Sequence, residues 1–175
     1  MTDIREIAQL GNPVLRDKAQ IVEDVAAADI KTIIEAMFDT LANTQGVGLA
    51  APQISVSKRI IIMASRPTAR YPDAPTMQPT VMINPSFQPQ SDMKEKDWEG
   101  CLSIPAIRAL VPRFVDIKIS YLNTLGKAQE QALTGFVARV FQHEYDHLEG
   151  RVYLDNVEST YDIYTENEYL KLRAV

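Results

Sequence analysis

His143 and His147 are the only two histidines in the chain, and they stand four residues apart with Glu144 directly after the first. In an α-helix, residues i and i+4 share a face, so both rings can converge on one metal ion. Glu144 is turned about a quarter turn from that face, as suits a base acting on water beside the metal rather than a ligand. The bland alternative is a helix whose histidines pack in a core and whose glutamate is solvated. It does not explain why the whole histidine complement falls at this spacing.

A catalytic zinc-type site takes three protein ligands and keeps a position open. The single cysteine, Cys101, in Glu99-Gly100-Cys101-Leu102-Ser103, offers a third ligand. A lone cysteine is more often a small buried hydrophobe. Both readings stand on chemistry alone, and the need for a third ligand favours the thiolate.

These groups need elements to hold them. Residues 136–149 carry apolar side chains at helical spacing, and Gly150 ends the run, which predicts a buried helix. Ile30, Ile33, Ile34, Met37, Phe38 and Leu41 predict an earlier helix over 27–45, capped by Asp24 or Asp29 and closed by Gly46. In Gly46-Val47-Gly48-Leu49-Ala50-Ala51-Pro52-Gln53 the small residues allow close approach to the backbone, and Gln53 offers an amide donor. A phosphate-binding loop does not fit, because no lysine sits at the required offset. Strands are expected at 59–63, at 80–84 (stopped by Pro85), at 114–122 and at 128–133, with a further one at 152–154. Residues 65–79 carry four of the ten prolines and read as an irregular loop. Residues 91–96 read as an exposed turn. The pattern implies an α+β fold, mainly antiparallel sheets around one buried metal-binding helix.

The length of 175 residues suits one domain over 1–175, with 155–175 as a short acidic tail. A net charge of −5 argues against direct nucleic-acid binding, and no apolar run is long enough for a membrane span. The first ten residues lack an apolar signal-type core, and one cysteine suits a reducing compartment, so the expected location is cytoplasmic.

Three segments in order, 46–53, 99–103 and 142–150, together resemble the peptide deformylases. Residues 103–113, Ser-Ile-Pro-Ala-Ile-Arg-Ala-Leu-Val-Pro-Arg, strengthen the resemblance, which covers about residues 7–154. Trp98, Gly135-Phe136 and Ala138-Arg139-Val140 are similar to an organellar-like branch of that family. The resemblance implies removal of the N-formyl group from formylmethionine at the start of new polypeptides. It implies that Cys101, His143 and His147 bind one divalent metal, Fe²⁺ in the cell, with Zn²⁺, Ni²⁺ or Co²⁺ able to replace it after purification. Glu144 would be general base and acid, with Gln53 and the Leu102 N–H as oxyanion donors. Val47, Gly48, Leu49, Glu99, Gly100, Phe136, Val140 and His143 would contact substrate, and Arg108 would anchor it beyond methionine. Arg139 and Asp97 stand where some relatives have aliphatic pocket residues, and a salt bridge between them is expected. The implied partners are N-formylmethionyl peptides and nascent chains, with transient ribosome association. The acidic tail departs from relatives that dock through a long basic C-terminal helix.

Two rival readings follow from the same residues. A peptidase of the His-Glu-x-x-His type could use Glu166, nineteen residues after His147, as its third ligand. A structural metal site in a peptide-binding module would need a fourth ligand, and no further Cys or His exists.

Overall fold

The computed structural model describes residues 2–69 and 71–173. Its elements run α1 (Ala28–Ala42), β1 (Gly48–Ala50), β2 (Ile60–Met63), β3 (Thr80–Pro89), β4 (Lys94–Cys101) and β5 (Ile104–Phe114). They continue with β6 (Asp116–Leu122), β7 (Ala128–Thr134), α2 (Gly135–Leu148), β8 (Ile163–Thr165) and α3 (Glu166–Arg173). One sheet has the order β1-β2-β3-β6-β7 and the other β4-β5-β8. Every strand pairing within them is antiparallel. The α+β expectation holds. Among the described residues no helix is long and apolar enough to cross a membrane.

β2 is buried on both faces, and its alternation divides the core. Ile61 and Met63 face a cluster with Val140, Phe141 and Leu148 of α2. Ile60 and Ile62 face the opposite cluster, with Ile30, Ile34 and Met37 of α1. A third cluster joins Cys101, Ala109 and Val111 to Val152 and Tyr153. α2 makes its contacts with β1, β2, β6 and β7 of the first sheet and with β5 of the second. The histidine-bearing helix is therefore clamped between the sheets.

Several local expectations change. Pro85 does not stop β3. It sits in an irregularity where the register shifts between Ile83 and Ser86 and Asn84 adopts φ +50°. A proline costs a ladder no bond at such a point, and the Asn84 amide ties it to Val22 N and O at 2.9 Å each. β4 takes in Lys94–Lys96, part of the expected turn, because these residues pair with Phe114–Pro112 of β5. Residues 153–156 form a 3₁₀ turn rather than a strand, with Asp155 accepting from Val152 N at 2.8 Å. α1 is capped by neither aspartate: Ala27 occupies the N-cap, and Asp24 accepts from Ala26 N one residue earlier. Its C-cap is Asn43, three residues before Gly46. Gly150 does follow α2 in a left-handed conformation, φ +68°, and a Cβ there would lie 2.5 Å from Arg16 O. The tail joins the fold, since β8 pairs with β5 through Ile107, Arg108 and Ala109.

Candidate active site

α2 presents His143 and His147 to one point, and the end of β4 brings Cys101 to it across the gap between the sheets. The three ligand atoms lie within 4.8 Å of one another, with Cys101 Sγ 3.3 Å from His147 Nε2. A thiol and two imidazoles at such separations are a donor set for one divalent ion, and the group fits it. Burial pushes the Cys101 thiol up, but the His147 and His143 charges overcome this and hold it well below its ordinary value. Burial disfavours the charged His143, but the Cys101 thiolate and the Glu99 carboxylate raise it well above the ordinary imidazole value.

Glu144 is buried beside them. Its Oε2 has no hydrogen-bond partner among the described residues, and burial pushes its carboxyl up to about 7. The group can lie under Gly48 because that residue has no side chain: a Cβ there would lie 2.5 Å from Glu144 Oε1. We expect Gly48→Ala to displace the carboxyl and lower kcat/KM by about 10-fold or more, since misplacement near 1 Å can cost 10²-fold. Steady-state kinetics with unchanged metal content would check it.

Gln53 is held by a bond from Ala50 N to its Oε1 (2.9 Å), which leaves Nε2 pointing at the site. That nitrogen donates to Ser103 Oγ at 3.2 Å and reaches Cys101 Sγ at 3.5 Å. The cavity is lined by Gly46, Val47, Gly48, Gln53, Tyr71, Trp98, Glu99, Gly100, Cys101, Leu102, Phe136, Arg139, Val140, His143 and Glu144. Leu49 is absent from this lining, because its side chain points into the α1 cluster. Arg108 is absent too. It is only 2% exposed, and its guanidinium pairs with Glu166 at 2.8 Å, so it is not free to anchor a substrate. Glu166 is thereby also drawn away from the histidines, which removes the peptidase-type ligand set.

Behind His143 lies a charged network that sequence reasoning missed. Glu99 Oε2 meets His143 Nδ1 at 2.8 Å, which fixes the ring so that Nε2 serves as the ligand atom. The same carboxylate receives Arg113 Nε and Nη2 at 2.8 and 3.0 Å and Arg139 Nη1 at 2.9 Å. Arg113 Nη1 continues to Asp146 at 2.6 Å. Glu99 lines the cavity, but its carboxylate is committed to this network and not to a substrate. The expected Arg139–Asp97 salt bridge is not formed: Arg139 reaches Asp97 only at its carbonyl, at 3.5 Å, and pairs with Glu99 instead. Tyr71, from the proline-rich loop, is another unforeseen residue, with its ring 5.4 Å from that of Phe136.

Burial raises the Glu99 carboxyl, but the Arg113 charge and the His143 hydrogen bond outweigh it and hold it far below the ordinary 4.5. Below about pH 4.5 the unfolded chain then binds the proton that the native state refuses, so stability rises with pH there. We expect stability from urea unfolding to fall steadily as pH drops below that value, and less steeply in Glu99→Gln.

The polypeptide deformylase family model matches residues 4–162. A peptide deformylase of Nostoc sp. is 49% identical over 170 residues, 97% of this chain and 95% of the relative. One from Bordetella pertussis is 45% identical over 150 residues, covering 86% and 85%. Among solved structures, a class I type b peptide deformylase of Acinetobacter baumannii, bound to Met-Ala-Ser, superposes with a TM-score of 0.87 at 39% identity. That match covers 90% of this chain and all of the other. A Synechococcus elongatus peptide deformylase in complex with actinonin gives 0.80 at 31% identity, covering 98% and 87%. The agreement extends through both sheets and the helix that carries the histidines, and the chain belongs to the polypeptide deformylase family.

Proposed function

We propose that the buried cluster of Cys101, His143 and His147, with Glu144 beside it, is the centre at which this chain removes the N-formyl group from formylmethionine on newly made polypeptides. The observation that carries this reading is that Cys101, His143 and His147 bring their ligand atoms within 4.8 Å of one another beside a cavity lined by Cys101, His143 and Glu144. The three ligand atoms would hold one divalent ion, Fe²⁺ in the cell, with Zn²⁺, Ni²⁺ and Co²⁺ as acceptable substitutes by ligand softness. When bound, such an ion lowers the pKa of a water and polarises a carbonyl.

Every other step falls to this chain's own residues. Glu144, whose carboxyl burial pushes up from its ordinary value, takes the proton of the attacking water at a carboxylate oxygen and later gives it to the leaving amine. Gln53 Nε2 and the Leu102 N–H donate to the oxyanion, and losing one such donor typically costs on the order of 2.7–4 kcal/mol. β1 is an edge strand of its sheet, so its free side can take the substrate backbone by strand addition. Val47, Gly48, Phe136, Val140 and the His143 ring wall the methionine side chain, in a cavity that Gly100 and Leu102 also line. Glu99 orients His143. The substrates are N-formylmethionyl peptides and nascent chains, met in the cytoplasm. Contact with the ribosome would be transient, since α3 carries both acidic and basic residues rather than a basic face. Residues 1–175 act as one catalytic domain, and 155–175 form its variable tail.

The test is hydrolysis of formyl-Met-Ala-Ser by anaerobically prepared, iron-loaded protein. One formate per free amine, with the N-acetyl peptide left intact, is the expected result. Cleavage inside the peptide instead would overturn it.

A further inference from the structure

The two groups that donate to the oxyanion, Gln53 Nε2 and the Leu102 N–H, stand on different sheets. Gln53 lies in the 3₁₀ turn Ala51–Ile54 that follows β1 of the first sheet. Leu102 lies in the turn between β4 and β5 of the second. No strand pairing among the described residues joins those sheets. The spacing of the two donors is therefore set by whatever crosses the gap.

Residues 8–10 cross it. Ala8 N donates to Gln53 O and Leu10 N to Ser103 O, each at 2.8 Å. Gln53 and Ser103 are both buried, where a carbonyl needs a partner. The segment is pinned upstream to α1, with Asp3 N donating to Asp39 Oδ2 at 2.8 Å and Arg5 N to Thr40 Oγ1 at 2.9 Å. Downstream a turn closes it, with Asn12 N donating to Gln9 O at 2.9 Å and Gly11 at φ +107°. Each residue held by its carbonyl also reaches into the site. Gln53 Nε2 donates to Ser103 Oγ at 3.2 Å, and Ser103 N donates to Cys101 Sγ at 3.4 Å. One segment thus ties together the side-chain donor, the turn that carries the backbone donor, and the cysteine sulfur.

We infer that residues 8–10 are a strap that sets the spacing of the two oxyanion donors, with the Ala8 and Leu10 N–H groups as positioning groups for the hydrolysis. The inference rests on the deformylase reading, which gives Gln53 and Leu102 their role. The strap touches no reacting atom, so its worth is a share of theirs. Losing one donor outright costs about 10²–10³-fold in kcat, and moving one costs part of that.

Leu10→Pro tests it in the full metal-loaded chain. Proline has no N–H, so the bond to Ser103 O is lost. The position otherwise suits proline, being the second residue of a turn whose third residue has positive φ. Leu10→Ala is the reference, because it loses the same exposed side chain and keeps the N–H. With formyl-Met-Ala-Ser, kcat of Leu10→Pro should lie about 5–20-fold below that of Leu10→Ala, with KM and metal content alike. Beside Gln53→Ala that ratio should shrink to below about threefold, because one of the two donors is already gone. A ratio near one in the otherwise unchanged chain, or an undiminished ratio beside Gln53→Ala, would overturn the proposal. A general loss of folded protein acts equally in both backgrounds and so gives the second of these results.

NMR of the Gln53 side-chain amide reads the strap without turnover. Its exchange with solvent should be about 10-fold faster in Leu10→Pro than in Leu10→Ala, as the hold on Ser103 loosens. If the unmodified chain turns over no formyl peptide, the deformylase reading falls by itself. Faster exchange would then still support the strap, and equal exchange would sink it.

Discussion

Glu144→Gln is expected to lower kcat/KM for a formylated peptide by about 10²–10⁴-fold, the usual worth of a positioned general base. Glutamine has nearly the same shape, and Cys101, His143 and His147 are untouched, so metal content should stay at that of the wild type. The fold should not suffer either, because Glu144 Oε2 makes no hydrogen bond among the described residues that the substitution would break. Burial holds the carboxyl near 7 at a cost to the charged form, and a neutral amide is free of that cost. A variant that is as stable as the wild type, or more so, yet nearly inactive is the signature of a base. A loss below about fivefold would assign the proton to another group.

Arg113→Met should have the largest effect on stability, about 3–5 kcal/mol in urea unfolding, because removing one partner of a buried ion network leaves uncompensated charge. Arg113 is 6% exposed and links Glu99 on β4 to Asp146 on α2. Without it, Glu99 keeps Arg139 and His143, and Asp146 keeps the Asn156 amide at 2.7 Å. Neither remaining set replaces a guanidinium that donates to both carboxylates. Because Glu99 also fixes the His143 ring, metal affinity should fall as well, by about 10–100-fold. Arg113→Lys keeps the charge but loses the fork, so it should fall between the two. A methionine variant as stable as the wild type would mean that apolar packing serves this interface equally well.

What could be read from sequence follows the range of the contacts involved. His143, Glu144 and His147 lie within one helical turn, so their geometry follows from backbone periodicity alone. Cys101 lies 46 residues from His147, and only the need for a third ligand and the resemblance singled it out. Arg113 and Asp146 were each visible as charges within apolar patterns, yet their meeting across 33 residues depends on how the two sheets close on α2. The expected Arg139–Asp97 pairing fails for the same reason: Asp97 and Glu99 stand two apart on one face of β4, and only the packing of α2 decides which carboxylate Arg139 reaches. Tyr71 lies in a proline-rich loop with no periodicity, so nothing in the sequence aimed it at the site. Pro85 misled as a strand stop because irregularities tolerate proline. The charges of the tail hide the pairing of Ile163–Thr165 with β5.

The most direct test of the Cys101/His143/His147 centre is a metal titration read against turnover. Chelator-stripped protein, kept anaerobic, would be given Fe²⁺ in steps while release of free amine from formyl-Met-Ala-Ser is followed. The expected result is no activity at zero metal, a linear rise that breaks at about one ion per chain, and no recovery in Cys101→Ala at that ratio. Turnover that survives complete stripping, or that Cys101→Ala recovers in full at one equivalent, would contradict the assignment of this cluster as the catalytic metal site.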